Sequence, residues 1–330
     1  YFLFSIILLI DIFDENLKKS LTNFLSFNTS ETLKQSSKLL ILYIALTFFI
    51  FITLKVFEFR DFDSLNLAMT IISSGGFLPS NSLSSILNSN VKEIIFSLLL
   101  LTSYFSIFLT YNLISFKKKN INFFQEDLLL FFYLLILIFI FAIFLNFDKN
   151  FTVIFLSLTS SISNIGISLD DSPSNLSFIF LLLIIVGGSF FSLSSGIRFL
   201  KLYALFKFSL NDLIANVRPK NIFVNKYPLF KDNFKRQEID KYFLSLIVFI
   251  ISLFLLSILL TINGISLENS FKLSILTIMN TVNSSMQGLS DFNFQELHFF
   301  TKFCMVIFMI IGRVELLTLL IICKKFLFKN

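Results

Sequence analysis

Tryptophan is absent from this chain of 330 residues, histidine occurs once, at His298, and cysteine occurs twice. Without Trp, the interfacial anchoring that aromatic belts supply in membrane proteins falls to Tyr and Lys. Cys304 and Cys323 share one apolar segment at a spacing with no metal or redox meaning, so they read as free buried thiols. Charge is scarce as well: 15% of residues are charged, against about 25% in a soluble domain. The chain contains no Gly-rich nucleotide loop, no metal-ligating cluster and no nucleophile beside a base. Nothing in it indicates an enzyme, a cofactor or a nucleic-acid partner.

What is present is hydrophobicity, at 55% of residues and a mean hydropathy of +0.84. The runs 128–145 and 242–262 carry no charge, and a bilayer core needs roughly 20 such residues per helix. Phe, at 48 residues, follows the bias of an AT-rich genome and marks no site by itself. Spanning helices are expected near 39–56, 92–115, 128–146, 176–204, 242–262 and 299–323. The apolar stub at 1–10 is too short to span and lacks the basic start of a signal peptide. It reads as the tail of an earlier helix, which makes the chain a fragment.

Between alternate pairs of spans lie 61–80, 149–168 and 268–290, too polar to cross a bilayer and too apolar for free loops. Each holds a turn of small residues: Ser73-Ser74-Gly75-Gly76-Phe77, Ser163-Asn164-Ile165-Gly166-Ile167 and Asn283-Ser284-Ser285-Met286-Gln287-Gly288-Leu289. A helix, a re-entrant loop and a helix, repeated about an axis, gathers backbone carbonyls into an ion filter. The fold expected is therefore an all-α integral membrane protein of repeated helix–pore loop–helix units. Small residues also serve as tight helix contacts in membranes, so each turn alone is ambiguous. Recurrence favours the filter.

Charge sets the orientation. Lys and Arg number 20 in the stretches 11–38, 116–127, 198–241 and 324–330, and 5 in the stretches that hold the loops. The positive-inside rule makes the first set cytoplasmic and brings each loop in from outside. The chain divides into a remnant at 1–10, a linker at 11–38, a unit at 39–115, a linker at 116–127, a unit at 128–204, a basic loop at 205–241, a unit at 242–323 and a tail at 324–330. The basic loop suits anionic lipid headgroups or a cytoplasmic partner equally well.

The span at 176–204 is interrupted by Gly187, Gly188 and Ser189, then by Ser192, Ser194, Ser195 and Gly196 before Arg198. Such a run fits an unwound segment lining a permeation path, with hydroxyls satisfying freed backbone groups; a closely packed helix is the alternative. Arg313 lies inside the last apolar run, a costly place for a charge, and faces the pore or snorkels to the interface. Asp61, Asp63, Asp170, Asp171, Asp291 and Glu296 line the outer stretches, where acids concentrate cations or serve as ordinary solvated loop charges.

Three stretches resemble the Trk/Ktr/HKT superfamily of potassium transporters, closest to the bacterial Trk membrane subunit. Phe62 to Phe77 resembles a pore loop ending in a Thr-Gly-Gly-Phe-like turn. Gly187 to Arg198 resembles the family's Gly-Gly-x-x-Gly-Ser-Thr-Ala-Gly-Gly-Ile-Lys stretch, and Ile311 to Thr318 its Gly-Arg-x-Glu-Leu-Leu-Thr helix. The resemblance implies a pseudo-fourfold pore of four units, of which this chain holds the second to fourth. It implies filter walls at Ser74, Gly75, Gly76 and Phe77, at Asn164, Ile165, Gly166 and Ile167, and at Ser284, Ser285, Met286 and Gly288. It implies K+ as the transported ion at the filter carbonyls, a gating loop at 187–198, and Arg313 beside that loop. It further implies a homodimer on cytoplasmic nucleotide-binding regulatory subunits, in a bacterial cytoplasmic membrane. Met286 stands where the family's fourth filter glycine belongs, and Arg198 replaces the usual Lys. Sodium permeability, weak selectivity and a non-conducting scaffold or degenerate paralogue are the competing readings.

Overall fold

The computed structural model describes residues 32–80, 82–107, 109, 125–144, 151–170, 173–217, 236–283, 285–289, 292 and 294–314. Among these residues there are ten α-helices and no strand; the one β-type contact is an isolated bridge between Val186 and Ile197. The remnant at 1–10 and the tail at 324–330 fall outside the described residues.

The helices α1 (Thr32–Val56), α2 (Asp61–Ser73) and α3 (Asn90–Tyr104) form the first unit. α1 buries Leu42, Leu46, Ile50 and Leu54, one stripe four residues apart, and exposes Ile41, Ile44 and Phe48. Glu58, at φ 60°, turns the chain back. Asp61 and Asp63 then open α2, where carboxylates favour the helix N-terminus. Lys55, in the last turn of α1, pairs with Asp61 and ties the two helices at their junction. Ser89 caps α3, accepting from the Lys92 backbone N–H at 3.4 Å. Hydropathy alone carried this helix to 115; α3 is interrupted after Tyr104, where other backbone takes its terminal carbonyls, and 110–115 lie outside the described residues.

The second unit is α4 (Gln125–Phe144), α5 (Phe151–Ile162) and α6 (Ser177–Ile185). After a non-helical stretch, α7 (Phe199–Val217) follows. It runs past 204 into the segment expected as loop. Leu200 and Ala204 are buried in it while Phe206, Leu210 and Leu213 are exposed, so an amphipathic pattern sustains the helix beyond the apolar run. The third unit is α8 (Arg236–Ile262), α9 (Leu267–Met279) and α10 (Phe299–Val314).

The short helices α2, α5 and α9 are the inner elements. α2 packs on α1 and α3, α5 on α3 and α6, and α9 on α6, α8 and α10. The core between α8, α9 and α10 gathers Leu256, Leu260, Leu273, Leu276 and Met305; Phe141 of α4 stacks on Phe180 of α6 at 6.0 Å. Gln125–Ala142 and Glu238–Ile262 are long and apolar enough to cross a membrane. Their outer faces expose Phe131, Phe132, Ile136 and Phe139, and Ile251, Phe254, Leu255 and Ile258. Water tolerates few contiguous apolar patches of that extent, whereas hydrocarbon makes them ordinary.

These two faces give a direct test. Leu256→Ala, at a fully buried position, should cost about 2–5 kcal/mol. Ile251→Ala, on the exposed face of the same helix, should stay within about 0.5 kcal/mol in detergent. Thermal unfolding of both variants measures the contrast, and equal losses would reverse the assignment of inner and outer faces.

Candidate functional site

α2, α5 and α9 all end in the same way. Ser74, Asn164 and Asn280 take left-handed conformations at φ 49°, 59° and 52°. Each donates its N–H three residues back, to Ile71, Ser161 and Thr277. The next residues, Gly75, Ile165 and Thr281, donate five residues back, to Thr70, Ser160 and Leu276, at 3.0, 3.1 and 2.9 Å. These are Schellman caps, which satisfy the last carbonyls of a helix and turn the chain sharply out of it. Asn tolerates the left-handed region through its short polar side chain, as Ser does less readily.

One residue further on, Gly76 and Gly166 also have positive φ, 71° and 81°. Counting from Asp61, Phe151 and Leu267, the first residues of the three helices, Gly76, Gly166 and Val282 occupy the same position. All three meet. A Cβ on Gly76 would strike Val282 Cγ2, and would lie 2.5 Å from Ile165 O and 2.7 Å from Val282 Cβ. A Cβ on Gly166 would strike Val282 O and lie 2.8 Å from Val282 N. The Val282 N–H donates to Ile165 O at 3.4 Å. Thr70 Oγ1 donates to Phe77 O at 2.5 Å, which fixes the carbonyl that follows the first turn.

The register of the third turn therefore differs from the one expected. Val282, rather than Met286, stands at the glycine position. Met286 is fully buried behind α5, in a short 3-10 turn over Ser285–Gln287, where its sulfur lies 3.7 Å from Ser161 Oγ. Gly288 is exposed and a Cβ there meets only ordinary contacts with Lys272 and Ser177. Ser284 and the Ser285 side chain lie outside the described residues. The physical reason is the cap: α9 closes at Asn280, so the residues after 283 form an added segment beyond the turn.

Residues 186–198 are non-helical and buried or half-buried throughout. Their backbone groups find partners on neighbouring elements. Ser103 O accepts the N–H groups of Leu193 and Ser194 at 3.0 Å each, and Tyr104 O accepts that of Ser189 at 3.1 Å. These are the open carbonyls at the end of α3. Gly188 must lack a side chain because a Cβ would strike Tyr104 O, while its N–H donates to Ser194 Oγ at 3.0 Å. Arg198 folds back into the loop, donating to Ser194 O at 2.9 Å and Ser192 Oγ at 3.0 Å. Two bonds join the loop region to the turns: Ser74 Oγ donates to Leu193 O at 3.3 Å, and Asn164 Nδ2 to Ile184 O at 2.9 Å. Gly187, Ser195 and Gly196 complete the loop where Gly187 N donates to Ile197 O at 2.9 Å.

Two residues that hydropathy hides complete the arrangement. Glu126 and Asp127, assigned to a linker from sequence, are buried in the first turn of α4 and reach the loop. Their signal is their position immediately before an uncharged apolar run. Arg313 is the penultimate residue of α10, and its side chain lies outside the described residues, as do Asp171 and Asp291. Asp170 accepts from Ser84 Oγ at 2.6 Å. Lys272 donates to Glu268 at 2.6 Å, and this bond and charge hold the Glu268 carboxyl below its ordinary range. A cavity of about 860 Å³ adjoins the turns. It separates α1, at Leu40, Tyr43 and Ile44, from α9 and α10, at Thr277, Met305 and Met309, and reaches Ser74, Gly75 and Val282.

A family described as TrkH, cation transport protein, matches residues 166–328. That stretch begins at Gly166 and includes the broken helix. The fold matches the crystal structure of the potassium transporter TrkH from Vibrio parahaemolyticus at a TM-score of 0.77 and 17% identity, covering 90% of this chain and 66% of that one. No curated protein matches the chain in sequence. The resemblance carried by the three motifs thus holds in sequence over the C-terminal half and in fold over nearly all of the chain.

The two glycines separate by what opposes them. Gly76→Ala and Gly166→Ala should each destabilise the protein, by about 1–3 kcal/mol from the strained dihedral alone. Adding Val282→Gly should recover part of the Gly76→Ala loss, because side-chain atoms oppose it, and none of the Gly166→Ala loss, because Val282 backbone does. Equal rescue of both in thermal unfolding would rule out this convergence.

Proposed function

We propose that this chain forms most of the wall of a cation pathway across a bacterial cytoplasmic membrane, and that the ion carried is potassium. The observation that carries the reading is the meeting of three helix-terminal turns at Gly76, Ile165, Gly166 and Val282. Each short helix directs its C-terminal end at that meeting point, and the partial negative charge there favours a cation. Buried side-chain oxygens without a donor belong to the same region: Thr277 Oγ1 and Asn283 Oδ1 are on residues of the cavity wall, and Asn164 Oδ1 is on the second turn. A dehydrated cation needs oxygens of this kind. The remaining wall, between α1 and α10, would come from residues beyond those described. The protein acts as a transporter rather than an enzyme.

In this reading, ions pass the turns and meet the 187–198 loop, which gates the inner path. Entry is driven by the membrane potential, at about 2.3 kcal/mol per unit charge per 100 mV. The resemblance adds a homodimer and cytoplasmic nucleotide-binding subunits as assembly partners. A second reading, of weak selectivity, is favoured by Val282. Its N–H engages Ile165 O, a carbonyl that an ion would otherwise use, and its isopropyl group narrows the space beside Gly76.

Rubidium uptake by the full-length protein in liposomes tests both. Competition by potassium and not sodium is expected; equal competition would establish the weakly selective path. Val282→Gly should raise uptake about tenfold, the effect of lowering a barrier by 1.4 kcal/mol. Folded protein without flux, in the parent and in this variant, would remove the transport reading and leave a scaffold.

A further inference from the structure

Glu126 and Asp127 are the acids that the pathway just described leaves without a task. They are 1% and 4% exposed. In a first helical turn, carboxylates usually serve their own helix N–H groups. Here they serve other segments. Glu126 Oε1 accepts the Phe190 N–H at 2.9 Å, and the same carboxylate accepts the Leu200 N–H. Asp127 Oδ1 accepts the Ser106 N–H at 2.8 Å, and its carboxylate is bonded by the Ser189 side chain. The pair therefore grips the loop at its start, at Ser189 and Phe190, and just past its end, at Leu200. It also grips the chain directly after α3. Arg198 lies within electrostatic reach of Glu126 and holds the middle of the loop.

We propose that Glu126 and Asp127 are the latch of the intramembrane loop: they are positioning residues whose bonds keep 187–198 across the inner path. The inference rests on the transport reading for its effect on flux, and on the geometry alone for its effect on the loop. Burying two carboxylates is unfavourable unless their acceptor oxygens are filled. The closed arrangement fills them with four donors from three segments. Any displacement of the start of α4 withdraws both acids together, so the loop is released as a unit. Ser74, bonded to Leu193 O, carries the release to the first turn.

Two measurements on the full-length protein test the latch. In a Cys304→Ser, Cys323→Ser background, Leu193→Cys reports loop exposure to a membrane-impermeant thiol reagent applied from the cytoplasmic side. Leu193 is 3% exposed, so labelling should be slow. Glu126→Ala and Asp127→Ala should speed it several-fold and raise rubidium flux. Glu126→Gln and Asp127→Asn, which keep an acceptor oxygen, should restore most of the protection. A merely structural role would lower flux in the alanine variants and would not speed labelling in folded protein. Faster labelling with no flux from any variant upholds the latch and overturns the transport reading. Unchanged labelling in folded protein overturns the latch. Should Glu126→Ala fail to fold, Asp127→Ala is read in its place, since it releases only the Ser106 and Ser189 bonds.

Discussion

Backbone that leaves a helix inside an apolar environment must find a partner for each N–H and C=O, and the structure is organised around that demand. The helix that begins at Ser177 stops at Ile185, and the groups it exposes are met from three sides. The C-terminal carbonyls of α3 accept from Ser189, Leu193 and Ser194. The first-turn carboxylates of α4 accept from Phe190 and Leu200. Arg198 donates to the carbonyl of Ser194. Each contributor has spare capacity for a physical reason: a helix C-terminus leaves carbonyls open, and a carboxylate accepts several bonds. This is why α3 is shorter than its hydropathy allows.

The same accounting shapes the turns. A Schellman cap uses the last carbonyls of α2, α5 and α9 internally, so the carbonyls beyond each cap lie outside the helical ladder: Thr70 Oγ1 takes up that of Phe77 and the Val282 N–H that of Ile165. Those turns lie side by side, and the third alone holds a side chain where the other two have glycine. Val282 is consequently both a structural wedge, filling space beside Gly76, and a donor to Ile165.

The all-helical class was legible in the chain. Uncharged runs, three interruptions of small residues and a Gly-Ser break are local features, and local composition decides whether a segment is helix, turn or break. The resemblance to cation transporters was legible too, since it rests on short motifs such as Gly187 to Arg198, and the family match and the fold agree with it. The extension of α7 to Val217 was missed because its apolar residues are spaced rather than continuous. Glu126 and Asp127 were missed because acids before an apolar run ordinarily mark a solvated helix start.

By itself the sequence determined an all-helical, hydrophobic chain with short helices ending in tight turns, because propensity, capping and hydropathy act over a few residues. Only the tertiary structure decided that the third turn closes at Asn280 and presents Val282, not Met286. It alone decided that two acids at the start of α4 close on the loop. Both depend on which distant segments come within hydrogen-bond reach, and Val282 meets Gly76 and Ile165 only once three separate helices have packed together.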